Sequence, residues 1–396
     1  MIDKKTNNFD PYKNFSMLRE MAPLYFSGDT WLATRYSDVS SLLSDKRLSA
    51  NRITPTLRKY ILENSSKDVT LLEEILSGWS LFMDQPHHMV ARSGLNKIFL
   101  PFTQDIITPK LRGKIESLIL PIVGSGDIDL MHDIALRIHY TVLSDMFGVN
   151  ENVFEEMLFL SNELNHFISA PSSTNHGGIA RAANAIEQFY EIFKPIYENK
   201  KNYTTEDLIS ILIHEGKANE YGNCLEVLTS YSMLLVGSES TSSQIGNTLM
   251  LLAENPNQYF KLKQDRSLLK CAIKECLRYE PPIHVIQRIV KEDFSLHGCN
   301  LLQGQNVALL IASAHRDPLT FTCPNTFDIT RQEKSHLAFG SGPHTCIGGA
   351  ISNQITSTVL EVLLDNVDKI IIKTSNRDWH DLKGTRRLTK LAIELV

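Results

Sequence analysis

From Ile347 onward the apolar residues Ile347, Ile351, Ile355, Val359 and Leu363 recur every four positions, which lays an apolar stripe along one helix. Near the other end, "LYFSGDTWLATRY" (24–36) predicts a hairpin turning at Gly28-Asp29, with a helix from Ser37. Between about residues 85 and 280 the apolar spacing is mainly helical. A polar, glycine-containing break at 169–182 separates two of these helices, and another at 214–223 separates two more. Short strands return at 283–311, and a long loop then leads to Cys346 and its helix. The pattern predicts a mainly α fold with a small β-rich portion, the two interleaved. No repeat and no Pro/Gly/Ser linker divides the chain, so residues 1–396 read as a single domain.

Composition changes this picture little. At 42% hydrophobic and 21% charged residues the chain has ample material for a core. The net charge of −5 and the lack of a Lys/Arg-rich run argue against nucleic acid as a partner. Cys224, Cys271, Cys276, Cys299, Cys323 and Cys346 form no C-x-x-C pair, which speaks against a zinc cluster or a disulfide framework. The polar start "MIDKKTNNFDPYKNF" has no apolar leader region, and no stretch is long enough to cross a bilayer. The expectation is an untargeted cytoplasmic protein with no membrane partner.

Four segments carry candidate chemistry. "HLAFGSGPHTCIGGAISNQI" (336–355) surrounds one thiol with Gly340, Gly342, Gly348 and Gly349, where a tight loop enters a helix. Free N–H groups and the helix dipole favour a thiolate there. In "KECLRYEPP" (274–282), Glu275 and Arg278 share a helical face that ends before Pro281-Pro282, as either a surface pair or a buried bridge needing a third charge. From Met233 an apolar helix is interrupted by "GSESTSS" and then resumes. Either it surfaces there, or it forms a groove where Glu239 and a hydroxyl pass protons. In "DQPHHMVARSGLNKIFLP" (84–101), His88 and Arg92 lie four apart. They are surface decoration or two donors for a carboxylate.

Together, in this order, these segments resemble the cytochrome P450 family of haem-thiolate monooxygenases. "FGSGPHTCIG" (339–348) matches the family's F-x-x-G-x-x-x-C-x-G haem loop through Phe339, Gly342, Cys346 and Gly348. "ECLR" matches E-x-x-R, and "VGSEST" (236–241) resembles the oxygen-binding stretch [A/G]-G-x-[D/E]-T-T. "ASAHRDPLTFTCPNTFDITR" (312–331) and "WLATRYSDVSSLLSD" (31–45) resemble soluble bacterial members, so the similarity covers almost the whole chain.

The resemblance implies haem b between the long central helix and the helix after the cysteine, with Cys346 as axial iron ligand. Phe339 would shield the sulfur, and the glycines would admit the porphyrin and aim N–H groups at the thiolate. His88, Arg92, Arg288 and His344 would neutralise the haem propionates. Glu275, Arg278 and Arg331 would form a structural triad. Glu239 with Ser240 or Thr241 would deliver protons to bound dioxygen.

Two positions depart from the pattern. Ser240 replaces the usual threonine and loses the methyl that restricts its rotamer. Val236 replaces alanine and would narrow the pocket. Val236, Ile283, His284, Val285 and Ile286 are the expected substrate-lining residues. His284 also reads as a core histidine, and Asn162, Asn165 and His166 as either substrate contacts or a solvated face. The implied activity is oxygenation of an apolar small molecule, a secondary-metabolite scaffold or fatty acyl chain, free or tethered to a carrier protein. No flavin or iron–sulfur motif is present, so electrons would come from a ferredoxin or flavodoxin and its reductase. A peroxide-using or rearranging enzyme, and a catalytically silent recruitment module, remain as alternatives.

Overall fold

The apolar stripe after Cys346 folds as its spacing predicts: Gly349–Asn366 is a helix with Ile351, Ile355, Val359 and Leu363 buried along it. The computed structural model describes residues 10–63, 69–169, 176–203, 205–218, 222–332, 336–374, 377–380 and 384–396. They divide into two compact units, one of residues up to 48, 110–139 and 240–396, the other of 49–109 and 140–239.

In the first unit the hairpin forms where expected. Leu24–Ser27 pairs antiparallel with Thr30–Ala33 across a turn in which Gly28 takes φ +70°, a conformation glycine adopts without strain. Thr30–Ala33 then pairs parallel with Asn306–Leu310, which pairs antiparallel with Val285–Val290. One face of this sheet is sealed by Leu24, Ala33, Val290, Val307 and Leu309 against Tyr36, Val39 and Phe321. A smaller antiparallel sheet joins Asp127–Asp129, Ala392–Leu395 and Ile370–Ile372, so strands are interleaved with helices along the chain.

The helix Ser240–Glu254 is buried from Thr241 to Leu252. It lies against the helices Leu269–Tyr279 and Gly349–Asn366. At Gly246 a Cβ would collide with the Met131 sulfur, so the glycine sets how closely residues 130–136 approach. Polar side chains fix its register on the cysteine helix. Gln244 Nε2 donates to Asn353 Oδ1 at 2.9 Å, and Ser352 Oγ donates to Gln244 Oε1 at 2.7 Å.

The second unit is helical and centres on Tyr231, whose ring meets Phe147 at 5.1 Å and Phe193 at 5.0 Å. Burial pushes the Tyr231 hydroxyl well above its ordinary pKa. The break expected at 169–182 is shorter than that: Glu151–Ser169 and His176–Lys200 are helices, so 176–182 are helical, and residues 170–175 lie outside the described residues. After the second break Cys224–Ser238 starts with a capping box: the Asn223 side chain accepts from Glu226 N–H, and Glu226 returns to the Asn223 amide. No helix among the described residues is long and apolar enough to cross a membrane.

A buried ion pair organises the segment leading to Cys346. Arg278 donates to both oxygens of Glu275 at 2.7 Å, with each side chain 2% exposed. That geometry excludes the surface-pair reading. Arg331 completes the triad at 3.3 Å from the same carboxylate. Arg278 also donates to the carbonyls of His315, Pro324 and Thr326, and Arg331 to that of Thr322. Two guanidiniums thus tie down a segment with little regular structure of its own.

His315 passes the restraint on. Its backbone carbonyl is held by Arg278, while its ring Nε2 accepts from Leu337 N–H at 2.6 Å, at the start of the cysteine loop. Burial holds His315 well below the usual imidazole range and pushes His336, beside Phe339, down to about 4. An imidazole that accepts this amide proton must be neutral.

Two outcomes follow. Arg278→Leu strands the Glu275 carboxylate in the interior and is expected to cost about 3–5 kcal/mol, read as a lower unfolding midpoint and loss of cofactor loading. An unchanged midpoint would contradict the clamp. Between pH 6.5 and about 4 the unfolded chain takes up a proton at His336 that the native state refuses, so stability falls as pH falls through that window. The contribution is on the order of 3 kcal/mol. Thermal unfolding followed from pH 7 to 4.5 should be flatter for His336→Phe than for the parent.

Candidate active site

The loop before the cysteine helix is a closed turn. Cys346 N–H donates to the Phe339 carbonyl at 2.8 Å, and Gly340 N–H to that of Leu337 at 2.9 Å. Gly340 and Gly342 each take φ +72°, and a Cβ on Gly342 would collide with Ser44. Gly349 has a different reason, because its φ is not positive: a Cβ there would press on the Phe339 ring at 3.2 Å. Gly348, at φ −80°, has an ordinary backbone and adjoins the sulfur. The loop therefore ends with Cys346 exposed, three residues before the helix begins. His344 lies half-buried in the same turn.

This arrangement fits haem b. A single accessible thiol at the entrance to a helix is a one-ligand site, suited to a metal that brings its remaining ligands with it. Among the described residues no cluster of three His, Cys, Asp or Glu side chains offers a metal a protein-only cage.

The first unit also holds the residues expected to line the pocket. Val285 and Ile286 open the strand Val285–Val290 and send their side chains to opposite faces. Ile283 and Val285 are half-buried. Ile286 packs on the sheet core, and His284 turns to Glu280, with its Nε2 3.2 Å from Oε1. Burial lowers the His284 pKa against the pull of Glu280, and the Tyr12 and Phe15 rings lie 5.8 and 6.2 Å away. His284 is the core histidine of the two readings. Arg288 is 8% exposed and donates to the Gln287 carbonyl.

In the second unit His88 and Arg92 occupy successive turns of His87–Pro101, as their spacing implied. His88 is buried, with Nδ1 3.4 Å from Gln85 Nε2, and Arg92 Nε donates to Asn96 Oδ1 at 3.1 Å. Val236 is buried at the end of the helix Cys224–Ser238. Glu239 alone separates that helix from Ser240–Glu254 and keeps a near-helical backbone at φ −56°, ψ −32°. The interruption is one residue long. Of the polar segment, Gly237 is exposed, Ser238 to Ser240 are half-buried and Thr241 to Ser243 are buried, so it reaches the surface only at its start.

Sequence reasoning left the partners of Glu239 open. Asn165 Nδ2 donates to Glu239 Oε2 at 2.8 Å and reaches the Val236 carbonyl at 3.4 Å. With its amide turned nitrogen-inward, Asn162 donates to both carboxylate oxygens, at 2.8 and 3.0 Å. The two asparagines sit three apart on one helix, a spacing that flagged a shared face but not what the face meets. His166, on the same helix, is exposed.

The cytochrome P450 family model matches residues 119–379. The biotin biosynthesis cytochrome P450 of Bacillus subtilis is 27% identical over 97% of this chain and 96% of its own length. The cytochrome P450 monooxygenase PikC of Streptomyces venezuelae is 28% identical over 97% and 91%. The crystal structure of P450BioI in complex with an acyl carrier protein bearing hexadec-9Z-enoic acid superposes with a TM-score of 0.86 at 26% identity, covering 98% of this chain and 99% of that one. With its cysteine loop, buried triad and matching fold, the chain belongs to the cytochrome P450 family, as a monooxygenase whose cofactor is haem b.

Proposed function

We propose that Cys346 would hold the iron of haem b through its thiolate and that the chain oxygenates an apolar small molecule of the secondary-metabolite kind, by hydroxylation or epoxidation. The observation that carries this reading is the exposed Cys346 thiol on its closed glycine turn. Bound haem supplies the activation of dioxygen. The chain's own residues do the remaining work. Cys346 donates electron density, and Phe339 covers one side of its turn. His88, Arg92, Arg288 and His344 take the propionates, a task suited to cationic and imidazole donors.

Glu239 holds the proton to be delivered, on its carboxylate, and Ser240 or Thr241 orients the water or oxygen that receives it. Ser240 keeps the hydroxyl but turns more freely than threonine, so more of the reducing equivalents go to peroxide. Val236, Ile283 and Val285 give the substrate an apolar surround. Electrons come from a separate ferredoxin or flavodoxin and its reductase, in keeping with a sequence that carries no flavin or iron–sulfur motif.

A second reading, narrower in substrate, is an acyl chain delivered on a carrier protein. Its support is the P450BioI structure, solved with a loaded acyl carrier protein and similar to this chain over nearly its full length.

Cys346→Ala is expected to abolish the thiolate-type ferrous carbon monoxide spectrum, and an unchanged spectrum would overturn the ligand assignment. For substrate, ferric protein is titrated with polyketides, cyclic peptides, terpenoids, free fatty acids and an acyl carrier protein thioester. A blue shift of the Soret band with a free compound names its class. A shift with the thioester alone establishes the carrier reading, and a free fatty acid acting at the same concentration removes it.

A further inference from the structure

Two side-chain amides reach the Glu239 carboxylate. Asn165 Nδ2 lies 2.8 Å from one oxygen, and the Asn162 amide nitrogen stands 2.8 and 3.0 Å from both. Both amides project from the helix Glu151–Ser169, are half-buried, and meet the one acidic residue at the break between two helices. A solvated polar face would not send two amides to one carboxylate. Asn165 also reaches the Val236 carbonyl, so the same side chain braces the turn that carries the acid.

We propose that Asn162 and Asn165 are positioning residues that hold the Glu239 carboxylate in place, an inference that rests on the proton-handling role given to Glu239 above. A carboxylate beside lysine or arginine is favoured in its ionised form, which opposes proton pick-up. A primary amide has both a donor and an acceptor. Its NH2 meets the ionised carboxylate, and its oxygen, after a turn of the amide, accepts from the protonated one. The pair therefore fixes where the acid sits, as a group that passes a proton across hydrogen-bond distance requires.

The test uses haem-loaded protein and three readouts. Asn162→Ala and Asn165→Ala, alone and combined, should lower kcat by ~10-fold in the double variant, a share of what general acid catalysis supplies. KM should stay near the parent's, and peroxide released per electron should rise. Without turnover, Asn165→Ala should lower the unfolding midpoint more when Glu239 is present than in a Glu239→Ala background, where only its bond to the Val236 carbonyl is lost. Asn165→Lys keeps a donor and adds a charge. It should retain the midpoint yet still lower kcat, an outcome a merely structural asparagine would not produce. Parent-level kcat and peroxide release in the double alanine variant, or full activity in Asn165→Lys, would overturn the inference. Glu239→Gln separates the two levels. If it slows turnover while the asparagine variants do not, only the positioning inference fails; if it too runs at the parent rate, the proton-handling role falls first.

Discussion

The two-toothed bond between Arg278 and Glu275 is the constraint on which the thiol depends. Removing two charges from water is costly, and a buried pair is no automatic source of stability. Here the geometry offsets the cost: two 2.7 Å bonds to one carboxylate, with the remaining guanidinium hydrogens spent on the carbonyls of residues 315, 324 and 326. Those carbonyls belong to a segment with almost no ladder of its own, which needs external donors. The pair thus substitutes for secondary structure. Through His315 it reaches Leu337, and from Leu337 the closed turn leads to Cys346. A thiol that must meet a rigid macrocycle cannot sit on a loose loop.

The sequence displayed the parts whose reasons are local. The hairpin at Gly28, the helix after Cys346 and the strands of 283–311 follow from period and turn chemistry, and all are present. The cysteine turn was legible because its glycines are needed for specific causes, positive φ at Gly340 and Gly342 and space at Gly349. The bridge of Glu275 was half legible. Spacing allowed the pair, but only tertiary structure decides whether such a pair is buried.

Other contacts were not legible. His284 meets a carboxylate four positions back and Ile286 packs on the sheet core, neighbours that a run of mostly apolar residues does not announce. His315, Gln244 and the asparagines at 162 and 165 act across 22 to 109 residues of chain. A single sequence holds no signal for such distant pairings beyond the polarity of each residue. Gln244 is the plainest case: an amide in a buried helix advertises a partner, but not that the partner lies on the cysteine helix.

The acid segment shows how these long-range amides alter chemistry. In Ser240 the chain gives up the methyl that would fix a hydroxyl rotamer, and beside it Glu239 is met by the amides of Asn162 and Asn165. Orientation must then come from the backbone. Glu239 keeps near-helical angles between two helices, and the helix that follows is buried for most of its length, its register on the cysteine helix set by Gln244, Ser352 and Asn353. An arginine in place of either asparagine would also bond the carboxylate, but its charge would favour the ionised form, the wrong bias for an acid proposed to pick up a proton.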